Sequence, residues 1–387
     1  MDKRKAERIR RRQADRNFGG SMRALFFTQQ SIGLGARKTS MIFLAEAMRD
    51  HGFDVTVVTC QLSQLSRFGA AGRLDAMPVE RRNRMLRADG MNTYIWVAPL
   101  HPARLAGPID GVLGPLLIKA YAAAIPPVLK DAARTADLIV IESCAALALF
   151  RRLRKIAPKA KIVYNMSDRL LPVGMHPALQ HRMEQDATDY DLIRMPAAAM
   201  ANDFAGARVA VIRHGLDLKL FGGNAPSPYA ATDNVLMVGD MMLDRPLLGE
   251  LIARSPRANF HYFGRSPLGL GQLPNLTEYG ERPFVDLVPY LQNADVGLSL
   301  YRIVPELDYL AQSSLKNIQY EYCGLPIVTP RSVANPAPNY VPYVDSDADS
   351  AFDALTLALT QGRGSTRPAD IQDWRQVAGT ILDKVEL

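Results

Sequence analysis

Residues 301–330 read YRIVPELDYLAQSSLKNIQYEYCGLPIVTP, and the fold of the chain is decided here. The stretch opens on the end of a buried strand, Val296–Tyr301. It then crosses a turn with Pro305 and Glu306 and reaches Ser313 and Ser314 just ahead of Lys316. The helix that follows ends at Gly324, because Pro326 bars continuation, and LPIVTP is then the next buried strand. Small hydroxyl residues and one Lys at a helix start, with a strand on each side, make a seat for a diphosphate. Unpaired backbone N–H groups and the positive end of the helix dipole both favour an anion there. Lys316 and Gln319 lie at i, i+3 on one helical face, so a cation and an amide reach the same ligand. The same residues read equally well as an ordinary amphipathic helix between two strands.

Strand and helix alternate outward from this point. In the second half, strands are predicted at Val235–Val238, Asn259–Gly264, Leu276–Tyr279 and Asp295–Tyr301, with helices over Leu247–Arg254 and Asp286–Gln292. In the first half, Arg23–Thr28, Asp54–Thr59, Thr93–Val97, Asp137–Glu142, Lys161–Tyr164, Asp191–Met195 and Val209–Arg213 read as strands. Met41–His51 and Ala197–Phe204 read as helices. His214–Asp233, rich in Gly, Pro and Asn, reads as a linker. The expected domains are a basic flexible arm (1–21), an N-terminal domain (22–213), the linker (214–233) and a C-terminal domain (234–387). An amphipathic last segment, Ile371–Leu387, is expected to pack back on the body. The fold class is α/β, with two Rossmann-like domains.

Ligands of open α/β sheets bind outside the carboxyl ends of the strands. The strand ending at Tyr164 runs into Asn165-Met166-Ser167-Asp168, so Asp168 stands where chemistry is done, or else caps the next turn. Gly33-Leu-Gly35-Ala-Arg37-Lys38-Thr39 approaches a phosphate loop, but that signature needs Gly directly before the Lys, and Arg37 occupies the place. An ATPase is set aside on that ground.

A chain of 387 residues is too long for one core, which again favours two domains. With 48% hydrophobic and 22% charged residues it has a soluble, globular composition and no apolar run long enough to span a membrane. The start lacks the pattern of a secretory signal. Cys60, Cys144 and Cys323 stand far apart, as reduced thiols of the cytoplasm do, and the six histidines form no metal motif. Most of the net charge of +7 comes from residues 1–16, so the body is nearly balanced and nucleic acid is not an expected partner. Residues 62–90 read as a long irregular stretch in which Arg67, Arg73, Arg81, Arg82, Arg84 and Arg87 are interleaved with apolar side chains. That mixture suits an anionic membrane surface or, equally, a solvated loop on the core. The Pro-, Gly- and aliphatic-rich stretch from Pro99 to Lys130 reads as a second membrane-touching element or as a buried helix.

Several ordered segments carry a family resemblance. They are LSQLSRF near residue 65, MNTYIWVAPLHP (91–102), DLIVIES and APKAKIVYNMSDRL (137–170), HGLDLKL, PSPYA, LMVGDMMLD, EYGE and the opening stretch. With these, the chain resembles the xanthan-type membrane-associated β-glucuronosyltransferases, glycosyltransferase family 70, from Met22 to about Thr360. The resemblance implies the GT-B architecture, in which two domains face a central cleft, here an N-terminal acceptor and membrane-side domain (22–213) and a C-terminal nucleotide-sugar-binding domain (234–387). It implies Asp168 as catalytic base. It implies a donor site drawn from Met241, Glu281, Tyr301, Lys316 and Gln319, to which the helix start adds Ser313 and Ser314. Arg169 and Asp240 depart from the family pattern. The implied reaction is inverting transfer of glucuronic acid from UDP-glucuronate to a polyprenyl-diphosphate-linked oligosaccharide. The implied place is the cytoplasmic face of a bacterial inner membrane, with no cofactor and no metal. A UDP-sugar epimerase and a non-enzymatic nucleotide-sugar-binding protein are the alternatives on the same fold.

Overall fold

A computed structural model describes residues 21–32, 38–67, 74–102, 109–304, 308–364 and 371–387. The basic arm up to residue 20, the Gly33–Arg37 loop, Arg73 and the Pro305–Leu307 turn lie outside the described residues. Among those described, two sheets account for the strands. The first has eight strands: β1 (Arg23–Thr28), β2 (Asp54–Leu62), β3 (Met85–Ala88), β4 (Met91–Val97), β5 (Leu138–Glu142), β6 (Lys161–Asn165), β7 (Leu192–Met195) and β8 (Val209–Val211). They lie in the order β3-β4-β2-β1-β5-β6-β7-β8. β1 pairs in parallel with β2 on one side and β5 on the other, so the strand order reverses at β1, the usual place for a ligand-binding crevice.

The second sheet has six strands: β9 (Asn234–Val238), β10 (Asn259–Phe263), β11 (Leu276–Glu278), β12 (Val296–Leu298), β13 (Ile327–Pro330) and β14 (Tyr340–Tyr343), in the order β11-β10-β9-β12-β13-β14. Every pairing in it is parallel, which places all six carboxyl ends on one edge. Parallel strands covered on both faces should be apolar throughout, and β9 is. Val235 and Met237 enter one buried cluster with Phe260, Leu298 and Leu355, while Leu236 and Val238 enter the opposite one with Leu291, Ile318 and Ile327.

The described residues group into two compact units. One holds those within Met1–Leu34, Leu44–Asn165 and Gly174–Ile193; the other holds those within Gly35–Phe43, Met166–Val173 and Arg194–Leu387. The last helix, Trp374–Val385, is fixed at its start by reciprocal bonds between Asp373 and Gln376, and it belongs to the second unit.

Three local readings are corrected. The stretch 62–90, expected to be irregular, contains β3, which forms an antiparallel hairpin with β4. Its turn is Asp89-Gly90, both at positive φ (51° and 73°), the two-residue arrangement that matches strand twist. Ala197–Phe204 is a short 3₁₀ turn, Ala198–Asp203, and not an α-helix. The strand expected to reach Tyr301 stops at Leu298, and Tyr301 makes an isolated bridge to Leu243 instead.

Candidate donor site and general base

The donor side is built on β12 and the helix that follows it. That helix runs Leu315–Tyr322, with Ser314 as its extended N-cap residue, and the chain leaves it through Gly324 at φ 69°. A helix that enters after one parallel strand and leaves before the next starts at the carboxyl edge of the sheet. Its seating depends on a glycine. A Cβ on Gly297 of β12 would stand 2.5 Å from the Tyr320 ring, so only glycine lets that ring lie flat on the strand. The Tyr320 hydroxyl then accepts from Val238 N at 3.1 Å and donates to Leu236 O at 3.2 Å. The helix is thereby pinned to β9 as well as to β12.

The other donor-side residues gather at the same edge. Gly239, at φ 83°, turns the chain out of β9 into Asp240-Met241-Met242. The Met242 carbonyl accepts from Arg302 N at 2.7 Å, tying the Met241 loop to the strand end that carries Tyr301. Met241 is half exposed. The Lys316 ammonium lies 4.5 Å from the centre of the Tyr301 ring, within cation–π range. Burial pushes the Tyr301 phenol up to about 12, so it stays protonated near neutrality. Ser313 is buried and donates to Leu310 O, closing the short turn Leu310–Ser313. Ser314 makes no side-chain capping bond. Glu281 is exposed on the turn after β11, at the same sheet edge. Asp240 is committed to its own loop, where its carboxylate accepts from Ser266 N at 3.1 Å. Burial alone would raise its pKa, but the Ser266 bonds hold it below the ordinary carboxylate value.

Gln319 gives the strongest signal of a ligand. The residue is only 7% exposed, and its Oε1 has no hydrogen-bond partner. An unsatisfied buried acceptor costs about 1–3 kcal/mol, and such a group one turn into a helix start is suited to a donor hydroxyl.

Asp168 stands three residues beyond β6, and Met166–Val173 belongs to the second unit. The residue is half-buried, and burial raises its pKa, opposed by a hydrogen bond from the Tyr309 hydroxyl at 3.2 Å. Nothing in the sequence singles out Tyr309, although it lies inside the opening stretch. Arg169, which departs from the family pattern, bonds Asp203 through Nε at 2.8 Å and pairs with Asp308.

In the first unit, Arg82 is committed to the carbonyls of Met77 and Leu74 and holds its own loop closed. Arg81 is half-buried beside it, and Arg67 ends the 3₁₀ turn Gln64–Arg67. Arg84 and Arg87 are exposed, and on β3 between them Met85 and Leu86 are exposed as well. Among the described residues no three His, Cys, Asp or Glu are grouped as a metal site.

Comparison with known proteins gives the relationship. The family described as glucuronosyltransferase GumK, N-terminal domain, matches residues 26–196. Over these residues the chain is similar to the GumK glucuronosyltransferases. It is 29% identical over 353 residues to the UDP-glucuronate:glycolipid 2-beta-glucuronosyltransferase of Xanthomonas campestris pv. campestris, covering 90% of this chain and 86% of that one. Among solved structures, AviGT4, a glycosyltransferase of avilamycin A biosynthesis, superimposes with a TM-score of 0.52 at 13% identity, covering 94% of this chain and 97% of the other. The UDP-GlcNAc 2-epimerase of Neisseria meningitidis, bound to UDP-GlcNAc, gives 0.51 at 11% identity, covering 94% and 99%. The expected GumK relationship and the GT-B fold are both borne out. At these identities the structural matches speak for the fold alone, which hosts transferases and epimerases alike.

Proposed function

We propose that the protein is an inverting glycosyltransferase that moves glucuronic acid from UDP-glucuronate to a polyprenyl-diphosphate-linked oligosaccharide, in exopolysaccharide assembly at the cytoplasmic face of a bacterial inner membrane. The observation that carries this reading is the carboxyl edge of the second sheet. There a helix N-terminus, the Lys316 ammonium beside Tyr301 and the unpartnered Gln319 oxygen share one helix start. That set matches a nucleoside diphosphate: N–H groups and a cation for the phosphates, an acceptor for ribose hydroxyls. The GumK relative acts on UDP-glucuronate and glycolipid by its name, and the present chain aligns with it almost end to end.

Asp168 takes the proton from the acceptor hydroxyl as that oxygen attacks the anomeric carbon. The bond from this carbon to the UDP oxygen breaks on the opposite face. A carboxyl raised by burial is a stronger base than a solvated one, and such general-base help is worth about 10²–10⁴ in rate. Charge developing on the departing diphosphate is met by the helix N-terminus and Lys316, a role that needs no divalent cation.

A lipid-linked acceptor calls for a surface that meets the membrane. Among the described residues no single helix is long and apolar enough to cross one. The helix Ile109–Ala123 buries Gly114, Ile118, Tyr121 and Ala122. Its other face exposes Val112 (68%), Leu113 and Leu116 (53%), where a solvated helix would carry polar groups. With Arg84 and Arg87 of the same unit, this composition suits adsorption to an anionic leaflet.

The test is a panel of radiolabelled UDP- and GDP-sugars with membrane extract as acceptor source and a chelator present throughout. Label should pass from UDP-glucuronate into lipid, and Asp168→Asn should abolish transfer while UDP still binds. Wild-type transfer by Asp168→Asn would remove the base assignment. A new sugar nucleotide formed without acceptor would replace the reading with epimerisation.

A further inference from the structure

Asp168 is engaged by a group more than a hundred residues away in sequence. The Tyr309 hydroxyl donates to Asp168 Oδ1 at 3.2 Å, and the same hydroxyl oxygen accepts from Arg169 N at 3.4 Å. The Arg169 guanidinium lies 5.3 Å from the centre of the Tyr309 ring. Its Nε and Nη2 meet the two Asp203 oxygens at 2.8 and 3.1 Å, and Nη1 pairs with Asp308. Asp308 and Tyr309 lead directly into Leu310–Ser313, and that turn ends at Ser314, the first residue of the diphosphate-binding helix. Gln312 in the turn accepts from Ala198 N at 3.0 Å. All of these residues belong to the second unit.

We propose that Tyr309 is the positioning residue of the catalytic base, and that Arg169, lying over its ring and paired to both Asp203 and Asp308, locks it in place. The proposal rests on the reading of Asp168 as that base. A carboxyl held at one oxygen presents the other in a fixed direction, and positioning of this kind is a large part of what an active site adds to a rate. A phenol that donates to the carboxylate also favours the charged, proton-accepting form against the burial that opposes it. Tyr309 is fully buried and its own pKa is raised, first by that burial, so it remains a donor wherever Asp168 titrates. Arg169 is held in its charged form above all by its bond to Asp203. Among the described residues, the charged and titratable groups in contact with the base and its anchor include Tyr309, Arg169, Asp203 and Asp308.

The test is Tyr309→Phe in the full chain, with kcat for transfer from UDP-glucuronate to membrane-extract acceptor measured against pH, and UDP affinity measured by calorimetry. Because the base must be deprotonated, kcat rises with pH through its pKa. Removing the donor raises that pKa, so the acid limb should move to higher pH. In addition kcat at neutral pH should fall roughly ten-fold, with UDP affinity unchanged within about two-fold. A limb that stays in place while kcat falls uniformly would mark Tyr309 as packing only and overturn the proposal. Arg169→Lys, which keeps the charge but loses the fork, should move the limb in the same direction by less. It also serves if Tyr309→Phe does not fold, and an unmoved limb there overturns the proposal too. Asp168→Asn run alongside separates the two readings. Wild-type transfer in it sinks the base assignment itself. A dead Asp168→Asn with an unmoved limb in Tyr309→Phe sinks only the positioning role.

Discussion

Gly297→Ala tests how the Leu315–Tyr322 helix, the proposed diphosphate seat, is held. The added Cβ would stand 2.5, 2.7 and 2.9 Å from three atoms of the Tyr320 ring, closer than carbon atoms approach without movement. The ring is fully buried and β12 lies inside the sheet, so neither side yields easily. Overpacking of this kind costs about 1–3 kcal/mol. If the ring moves far enough to release its bonds to Val238 N and Leu236 O, each adds about 1 kcal/mol. A total of about 3–5 kcal/mol lowers the melting temperature by roughly 6–20 °C for a domain of about 200 residues. Displacing Tyr320 tilts the helix that carries Lys316 and Gln319, so UDP affinity should fall with stability. Differential scanning calorimetry with and without UDP reads both quantities. Pairing the change with Tyr320→Leu, which clears the ring, should cost less than the two single changes summed. A single variant that melts within about 2 °C of wild type and binds UDP normally would refute the reasoning.

Three further outcomes are expected. Lys316→Ala should weaken UDP binding by about ten- to a hundred-fold, the worth of one charged hydrogen bond, with little change in the melting temperature without ligand. Gln319→Leu should weaken UDP binding as well but raise that melting temperature, because it removes a buried oxygen that has no partner; calorimetry on the pair separates the two roles. Leu116→Asp places a charge on the exposed apolar face of the Ile109–Ala123 helix and should reduce sedimentation with anionic vesicles while leaving UDP affinity intact.

What the sequence made legible were features set by near neighbours. The β1 strand begins and ends at the expected residues, and the Leu315–Tyr322 helix ends where Gly324 and Pro326 require. The Asp89-Gly90 hairpin was missed: its two turn residues are a strong local signal, but the surrounding arginines made 62–90 read as an irregular stretch. Other features depend on distant partners and have no local signature. Nothing near Tyr309 announces that its hydroxyl meets a carboxyl 141 residues earlier. Nothing in Asp240 announces that it binds Ser266 N, although its departure from the family pattern marked it as different. Ala197–Phe204 has good helix formers and still forms only a 3₁₀ turn, where Asp203 is drawn to Arg169 and Ala198 N to Gln312. Tertiary partners outweigh propensity in so short a segment.

The grouping of Asp168 bears on how the reaction is organised. In sequence the residue belongs to the N-terminal half, just beyond β6, yet Met166–Val173 groups with the unit that contains the Leu315–Tyr322 helix. The path from the base to that helix start is short: one hydrogen bond to Tyr309, the turn Leu310–Ser313, then Ser314. Inverting transfer needs the base and the leaving-group cradle in a fixed relation on opposite faces of the sugar, and small misplacements cost rate steeply. On the proposed reading, with Asp168 as base and the start of the Leu315–Tyr322 helix as cradle, both lie on one compact unit and local packing sets that relation. It also accounts for a paired, double-anchored Arg169 directly after the base, where a single solvated arginine would have held nothing in place.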